Sequence, residues 1–302
     1  MTSGTDRDLV GRFRTEKARS RFYAAYDRAC DRLWTGPREV LDVDTRFGTT
    51  RVYRHGSAEV DATPIVLLSG ALGNSLMWYP HVPALAERHT VYTVDTVGEP
   101  GRSVQRAPIR DGQDGAAWLR ETLTGLDVRR AHLVGCSYGG WLALHHAIEA
   151  PARTVTLCLL DPALGPPGAK FFAWMFACGV AGLAPADIRR HAARILSNGA
   201  LNETELLRVG RSAMAFVRRL PPAHALSDDR LRALRVPTLL LLGQRSTLHD
   251  PAAVRSRAQT LIPDVHCEII PGTGHSLPME RPALTAARIS EFALRHRPDD
   301  PG

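Results

Sequence analysis

Nowhere in the 302 residues does an apolar run approach the roughly 20 residues needed to span a bilayer. The opening "MTSGTDRDLVGRFRTEKARS" has no apolar core of the kind a secretory signal carries. Together these absences predict a soluble, cytoplasmic protein with no stable membrane insertion. Cysteine is also scarce: Cys30, Cys136, Cys158, Cys178 and Cys267 are widely separated and show no CxxC or metal-ligand spacing. Reduced thiols, most of them inside apolar segments, are expected, and no metal site. Lysine is almost missing, with only Lys17 and Lys170, so the formal charge of +7 is carried by arginine. The arginines are spread through every segment with acids nearby, and no basic arm or base-stacking motif accompanies them. An arginine-rich solvated surface, not a nucleic-acid interface, follows. Nothing in the chain specifies an oligomeric state.

What is present is ample apolar material, 44% of residues, enough for one large domain with an insertion. From about Asp6 to Trp34, Phe22, Tyr26, Ala29 and Leu33 recur at helical spacing with arginines on the other side. This predicts an amphipathic N-terminal helical extension over residues 1–36, lying across the core. Glu16, Asp27 and Asp31 dilute its basic face, which argues against a membrane-surface role. After "TGP" the period changes. "EVLDVD" and "TRVYRH" alternate like an antiparallel pair, and "PIVLL", "VYTVD", "AHLVG", "VTLCLL", "PTLLLL" and "VHCEII" are short apolar runs suited to strands buried on both faces. Helical patterns between most of the later runs imply right-handed βαβ units. The class is therefore α/β, an eight-stranded, mostly parallel sheet flanked by helices, with its core at residues 37–161 and 236–302.

Residues 162–235 are too many for one crossover. They contain the apolar stretch "AKFFAWMFACGVAGL", the helical "ADIRRHAARILSN", and a third helix expected to open at Asn202 with Glu205 three residues on. An inserted helical lid is predicted. Phe171, Phe172, Trp174, Met175 and Phe176 are too dense for all to face one way, so Phe172, Trp174 and Phe176 are candidates to line an apolar substrate pocket.

Chemistry concentrates in three segments. Gly135-Cys136-Ser137-Tyr138-Gly139 spells GxSxG between a strand and a helix, where glycines two residues either side relieve the crowding of a sharp turn that lifts the serine above the sheet. "SGALG", Ser69 to Gly73, is a glycine turn after a buried strand that can aim the Ala71 N–H, together with the Tyr138 N–H, at a developing oxyanion. His275, in "PGTGHSLPMERP", follows the last strand and comes after Ser137 in the order a nucleophile and its general base require.

With these motifs in order, and with the "DTVGEPGRS" loop and the "PTLLLLG" strand, the chain from Val40 to Leu294 resembles the α/β-hydrolase superfamily. The resemblance implies Ser137 as nucleophile, His275 as base, Ala71 and Tyr138 as oxyanion donors, a lid that shapes the site, and no metal or organic cofactor. It departs in two places. Ser69-Gly70 stands where many members have His-Gly, a change of local packing because the donors are backbone groups. Ser246 stands where the triad acid commonly follows "PTLLLLG". Three alternatives are open: Asp161 at the end of the neighbouring strand, Asp250 further round the loop, or no acid at all. Asp161-Pro162 also reads as a turn and Asp250-Pro251 as a helix cap. The function expected is a serine hydrolase of the esterase or thioesterase kind, acting on a small, moderately hydrophobic substrate through an acyl-enzyme. Aspartate-nucleophile hydrolases are excluded by Ser137, and the absence of tyrosine from residues 162–235 argues against epoxide opening. Cys136, pointing back toward the sheet, is not expected to be the nucleophile. The alternative is a protein of this fold with an incomplete triad, a cyclase, lyase or ligand-binding protein.

Overall fold

The short apolar runs that alternate with helical segments form the centre of one sheet in the computed structural model, which describes residues 9–56 and 62–296. The strands in chain order are β1 (Arg12–Phe13), β2 (Arg38–Thr45), β3 (Gly48–His55), β4 (Ile65–Leu68), β5 (Val91–Val94), β6 (Val104–Gln105), β7 (Ala131–Cys136), β8 (Thr154–Leu160), β9 (Phe216–Val217), β10 (Thr238–Gly243) and β11 (Val265–Ile270). The main sheet runs β11-β10-β8-β7-β4-β5-β3-β2. These eight are the runs anticipated from the sequence. The six from β4 onward pair in parallel with one another, and β3 pairs antiparallel with both β2 and β5. Every residue of β4, β5, β7, β8 and β10 is buried, because helices cover both faces of a parallel sheet. Two additions were not anticipated. β6 joins the sheet through β3, and β1 and β9 form a separate antiparallel pair. Two-residue strands are too short to show an alternating pattern.

The long helices are α1 (Glu16–Leu33), α2 (Gly112–Gly125), α3 (Tyr138–Glu149), α4 (Ala169–Ala181), α5 (Ala186–Ile195), α6 (Thr204–Ala213), α7 (Pro251–Leu261) and α8 (Pro282–Arg295). No helix among the described residues is long and apolar enough to cross a membrane. The N-terminal helix begins later than expected: Arg12 and Phe13 are strand residues, and Thr15 caps α1 by accepting the Ala18 N–H. Residues 6–8 of the anticipated helix lie outside the described residues. The segment between β8 and β10 carries α4, α5 and α6. The third of these opens at Thr204 rather than Asn202, which ends a 3-10 turn. The Glu203 side chain caps it by accepting the Glu205 N–H, and Glu205 pairs with Arg32 and Arg208 instead of reaching back.

α1 is more than an appendage. Phe22, Tyr26, Ala29 and Cys30 pack with Tyr53 of β3, Leu76, and Val209 and Ala213 of α6. The Tyr26 hydroxyl donates to Asp95 at 3.0 Å, just past β5. Asp95 is fully buried and also accepts the Ser75 N–H at 2.9 Å and the Arg102 N–H at 2.7 Å. Burial raises the Asp95 carboxyl pKa and these donors act against it. A Cβ at Gly101 would lie 2.6 Å from the Asp95 carboxylate, so the loop closes around this acid only with glycine there. Replacing Tyr26 with Phe removes a donor from a buried carboxyl and is expected to cost about 1–3 kcal/mol of stability, read from urea unfolding. A change below about 0.5 kcal/mol would show that α1 is not anchored through this bond.

Candidate active site

Parallel strands present their C-terminal ends along one edge, and in the order β11-β10-β8-β7 that edge carries His275, the 244–250 loop, Asp161 and Ser137 side by side. Ser137 has φ 51° and ψ −116°, a conformation L-residues rarely adopt. The turn is held by Ser137 N–H donating to Leu160 O and by Ser137 O accepting from Ala163 N–H and Trp141 N–H. A Cβ at Gly135 would lie 2.4 Å from Gly139 O, and one at Gly139 would lie 2.4 Å from Leu68 O. The glycines of GxSxG are thus demanded by backbone crowding on both sides. Ser137 and His275 are both buried, each with 8% of its surface exposed.

A carboxylate from the adjacent strand meets the imidazole. His275 Nδ1–H donates to Asp161 Oδ2 at 2.6 Å, and Asp161 is completely buried. Ser246, the residue at the expected acid position, donates its hydroxyl to the same Oδ2 at 2.7 Å. Gly243 N–H donates to Oδ1 at 3.1 Å, and His249 Nε2 lies 3.7 Å from Oδ1. Burial pushes the Asp161 carboxyl pKa up. The bond and charge of His275, followed by His249 and Ser246, outweigh it and leave the pKa below the ordinary carboxylate value. Asp250 is elsewhere in role: it caps α7, accepting the Ala252 and Ala253 N–H groups. The structure therefore brings Asp161, not Asp250, to the imidazole. With Nδ1 turned to Asp161, Nε2 is the ring nitrogen that remains for other partners.

The glycine turn lies against the elbow: a Cβ at Gly70 would sit 3.1 Å from the Ser137 Cβ. Ala71 is on this turn, and Tyr138 is the first residue of α3, where helix N–H groups lack intrahelical partners. Leu72 follows with φ 61°, and its N–H donates to Glu99 Oε2 at 2.9 Å. Glu99 is buried and paired with Arg218 Nε at 2.7 Å, while Arg218 stacks over the Tyr138 ring at 4.4 Å and donates to Leu220 O. Burial raises the Glu99 carboxyl pKa, with Arg218 and the Leu72 N–H opposing. Glu99 and Arg218 were not singled out in the sequence. Glu99 belongs to the "DTVGEPGRS" loop, but nothing in one chain distinguishes Arg218 from the other arginines.

Above the imidazole, Phe171 and Trp174 of α4 meet the His275 ring edge-on, with centroids 5.1 and 5.7 Å away. Trp174 is thus at the site, joined by Phe171, which was not among the chosen residues. Phe172 and Phe176 are not: they are 56% and 76% exposed. At 3.6 residues per turn the face holding 171, 174 and 178 excludes 172 and 176. Cys136 is buried behind the serine, and burial raises its thiol pKa.

This chain is a member of the Alpha/beta hydrolase family, whose model matches residues 65–288. It is similar to two Bacillus subtilis (strain 168) proteins, each 29% identical: an uncharacterized carboxylesterase, nap, covering 90% of this chain and 92% of the relative, and carboxylesterase YbfK, covering 90% and 93%. Among solved structures it resembles naproxen esterase (carboxylesterase NP) from Bacillus subtilis, with a TM-score of 0.79 and 28% identity over 92% of this chain and 99% of that one.

Two outcomes follow from the site. Asp161→Asn is expected to lower ester turnover by roughly three to four orders of magnitude, whereas Asp250→Ala costs about 1 kcal/mol of stability with turnover unchanged. Steady-state kinetics showing the reverse pattern would sink the assignment. Glu280, which accepts the Gly274 N–H at 2.8 Å beside His275, has its pKa raised by burial from 4.5 to about 7. A folded-state pKa above the unfolded one means a stabilising contribution that is complete below about pH 4.5 and lost as pH rises through about 7. Glu280→Gln, which cannot ionise, should therefore gain stability relative to wild type across that interval. A difference independent of pH in thermal melts contradicts this.

Proposed function

We propose that the protein is a serine carboxylesterase acting on small, moderately hydrophobic esters. The observation that carries this reading is the 2.6 Å bond from His275 to a buried, ionised Asp161, one strand away from a strained serine elbow. The relatives named carboxylesterases over nine-tenths of the chain support the same class. In this reading Ser137 Oγ attacks the acyl carbon while His275 Nε2 takes its proton. The Ala71 and Tyr138 N–H groups stabilise the oxyanion, and Asp161 offsets the charge of the imidazolium. The intermediate collapses as His275 returns the proton to the departing alkoxide. Water, activated by the same imidazole, then attacks the acyl carbon and releases the acid with the serine restored.

The helices of residues 162–235 act as the lid. Phe171 and Trp174 on α4 form an apolar roof over His275, which favours an acyl or aryl group over a charged one. An aryl-bearing carboxylic ester, as the naproxen esterase relative's name suggests for that protein, fits such a roof. The buried carboxylate on His275 weighs against a non-hydrolytic reading, which was motivated by an incomplete triad.

A fluorophosphonate probe is expected to label the protein stoichiometrically at Ser137, and p-nitrophenyl esters of graded chain length to be hydrolysed with a preference beyond acetate. Both signals should vanish in Ser137→Ala. Labelling or turnover that survives this substitution refutes the nucleophile.

A further inference from the structure

Helix α4 is apolar on both sides. From Phe171 to Ala186 no side chain carries a charge. The inner side is accounted for by the contacts of Phe171 and Trp174 with His275. The outer side is not: Phe172, Phe176, Val180 (55% exposed) and Leu183 (71%) follow one another at helical spacing into the turn beyond α4, and Ile188 and Ile195 of α5 are also exposed. Single exposed apolar residues are ordinary, but six of them on two consecutive helices and the turn between are not.

The charges nearby point to the occupant. Across residues 162–202 the only acid is Asp187, against Lys170, Arg189, Arg190 and Arg194. Lys170, Arg190 and Arg194 are exposed, at the start of α4 and on α5. Two copies joined through this face would oppose like charges in an interface with little acid to neutralise them. An anionic lipid surface meets both features, taking the apolar stripe at the acyl boundary and the basic side chains at the headgroups.

We propose that the outer face of α4 and α5 is a peripheral docking surface for anionic lipid bilayers. The lid then rests on the bilayer with its inner aromatic face above His275. Docking requires no spanning helix and no bond to lipid, and the proposal does not depend on the ester chemistry.

The test is co-sedimentation of the full chain with phosphatidylcholine vesicles with and without phosphatidylglycerol, alongside light scattering of the free protein. Wild type is expected to pellet with the phosphatidylglycerol vesicles, less so at raised salt. Val180→Asp/Leu183→Asp and Arg190→Glu/Arg194→Glu should each weaken that binding by about tenfold or more. Circular dichroism checks the fold of both variants, so a loss of binding is read only from folded protein. Turnover of a soluble ester by wild type is a separate readout, whose absence would count against the esterase reading and leave docking standing. Wild type that ignores phosphatidylglycerol vesicles overturns the proposal, as does binding that both folded variants retain. A dimer that Val180→Asp/Leu183→Asp splits into monomers also overturns it, assigning the face to a second copy.

Discussion

The site depends on a carboxylate held ionised where it is completely buried. An isolated charge in such a place is too costly to persist and would be neutralised by taking up a proton. Asp161 escapes this because the chain surrounds it with donors: His275 Nδ1–H and the Ser246 hydroxyl on one oxygen, Gly243 N–H on the other. Each donor comes from the end of a neighbouring strand or the loop beyond it, so the parallel order β11-β10-β8-β7 is what makes the acid affordable. Ser246 illustrates the economy of the arrangement. A hydroxyl there cannot neutralise an imidazolium, but it can donate to a carboxylate that reaches in from the next strand. The residue that looked like a loss is a part of the acid's support.

A second set of buried acids organises the side of the site that holds the glycine turn. Asp95 and Glu99 lie on one loop after β5, and each faces both the core and a piece of chain added to it. Asp95 gathers α1 through Tyr26 and accepts the Ser75 N–H just past the glycine turn, while Glu99 ties the Leu72 amide to Arg218 in the segment between β8 and β10. Leu72 has a positive φ that a non-glycine residue adopts only when its surroundings compensate, and the Glu99 bond is such a compensation. Removing one partner of a buried pair leaves the other uncompensated, at a cost of about 3–5 kcal/mol. The turn that carries Ala71 is therefore tied, through Glu99, to the stretch around Arg218 in the segment between β8 and β10.

Much of this was legible from residue order. The eight principal strands announced themselves by apolar runs with turn residues at both ends, and the elbow by glycines whose need the packing explains, since Gly135 and Gly139 leave no room for a Cβ. The carboxylate that meets His275 was harder to read. Asp161 and Asp250 both precede proline, and local chemistry reads each as a turn or cap; only the order of strands in the sheet, a property of the whole chain, separates them. Strands β1, β6 and β9 were invisible because two residues carry no period. The helix opening at Thr204 was displaced by a 3-10 turn that uses Asn202 differently. Phe172 and Phe176 were chosen for composition alone, and composition does not say which way a helix faces when it is apolar all round.

That last ambiguity carries physical content. A helix packed on one side ordinarily advertises the fact by a polar opposite face, and burial follows the apolar stripe. In α4 the sequence gives no such instruction, and no residue of the helix is fully buried. What fixes its orientation is specific: edge-on contacts of Phe171 and Trp174 with His275 and the Trp174 indole donating to Leu196 O at 2.7 Å. Few contacts hold it, and its outward apolar surface meets water at a free-energy cost that burial elsewhere would recover. A segment so weakly committed to its own core, and so close to the imidazole, is where access to the serine is most readily altered by whatever covers that surface.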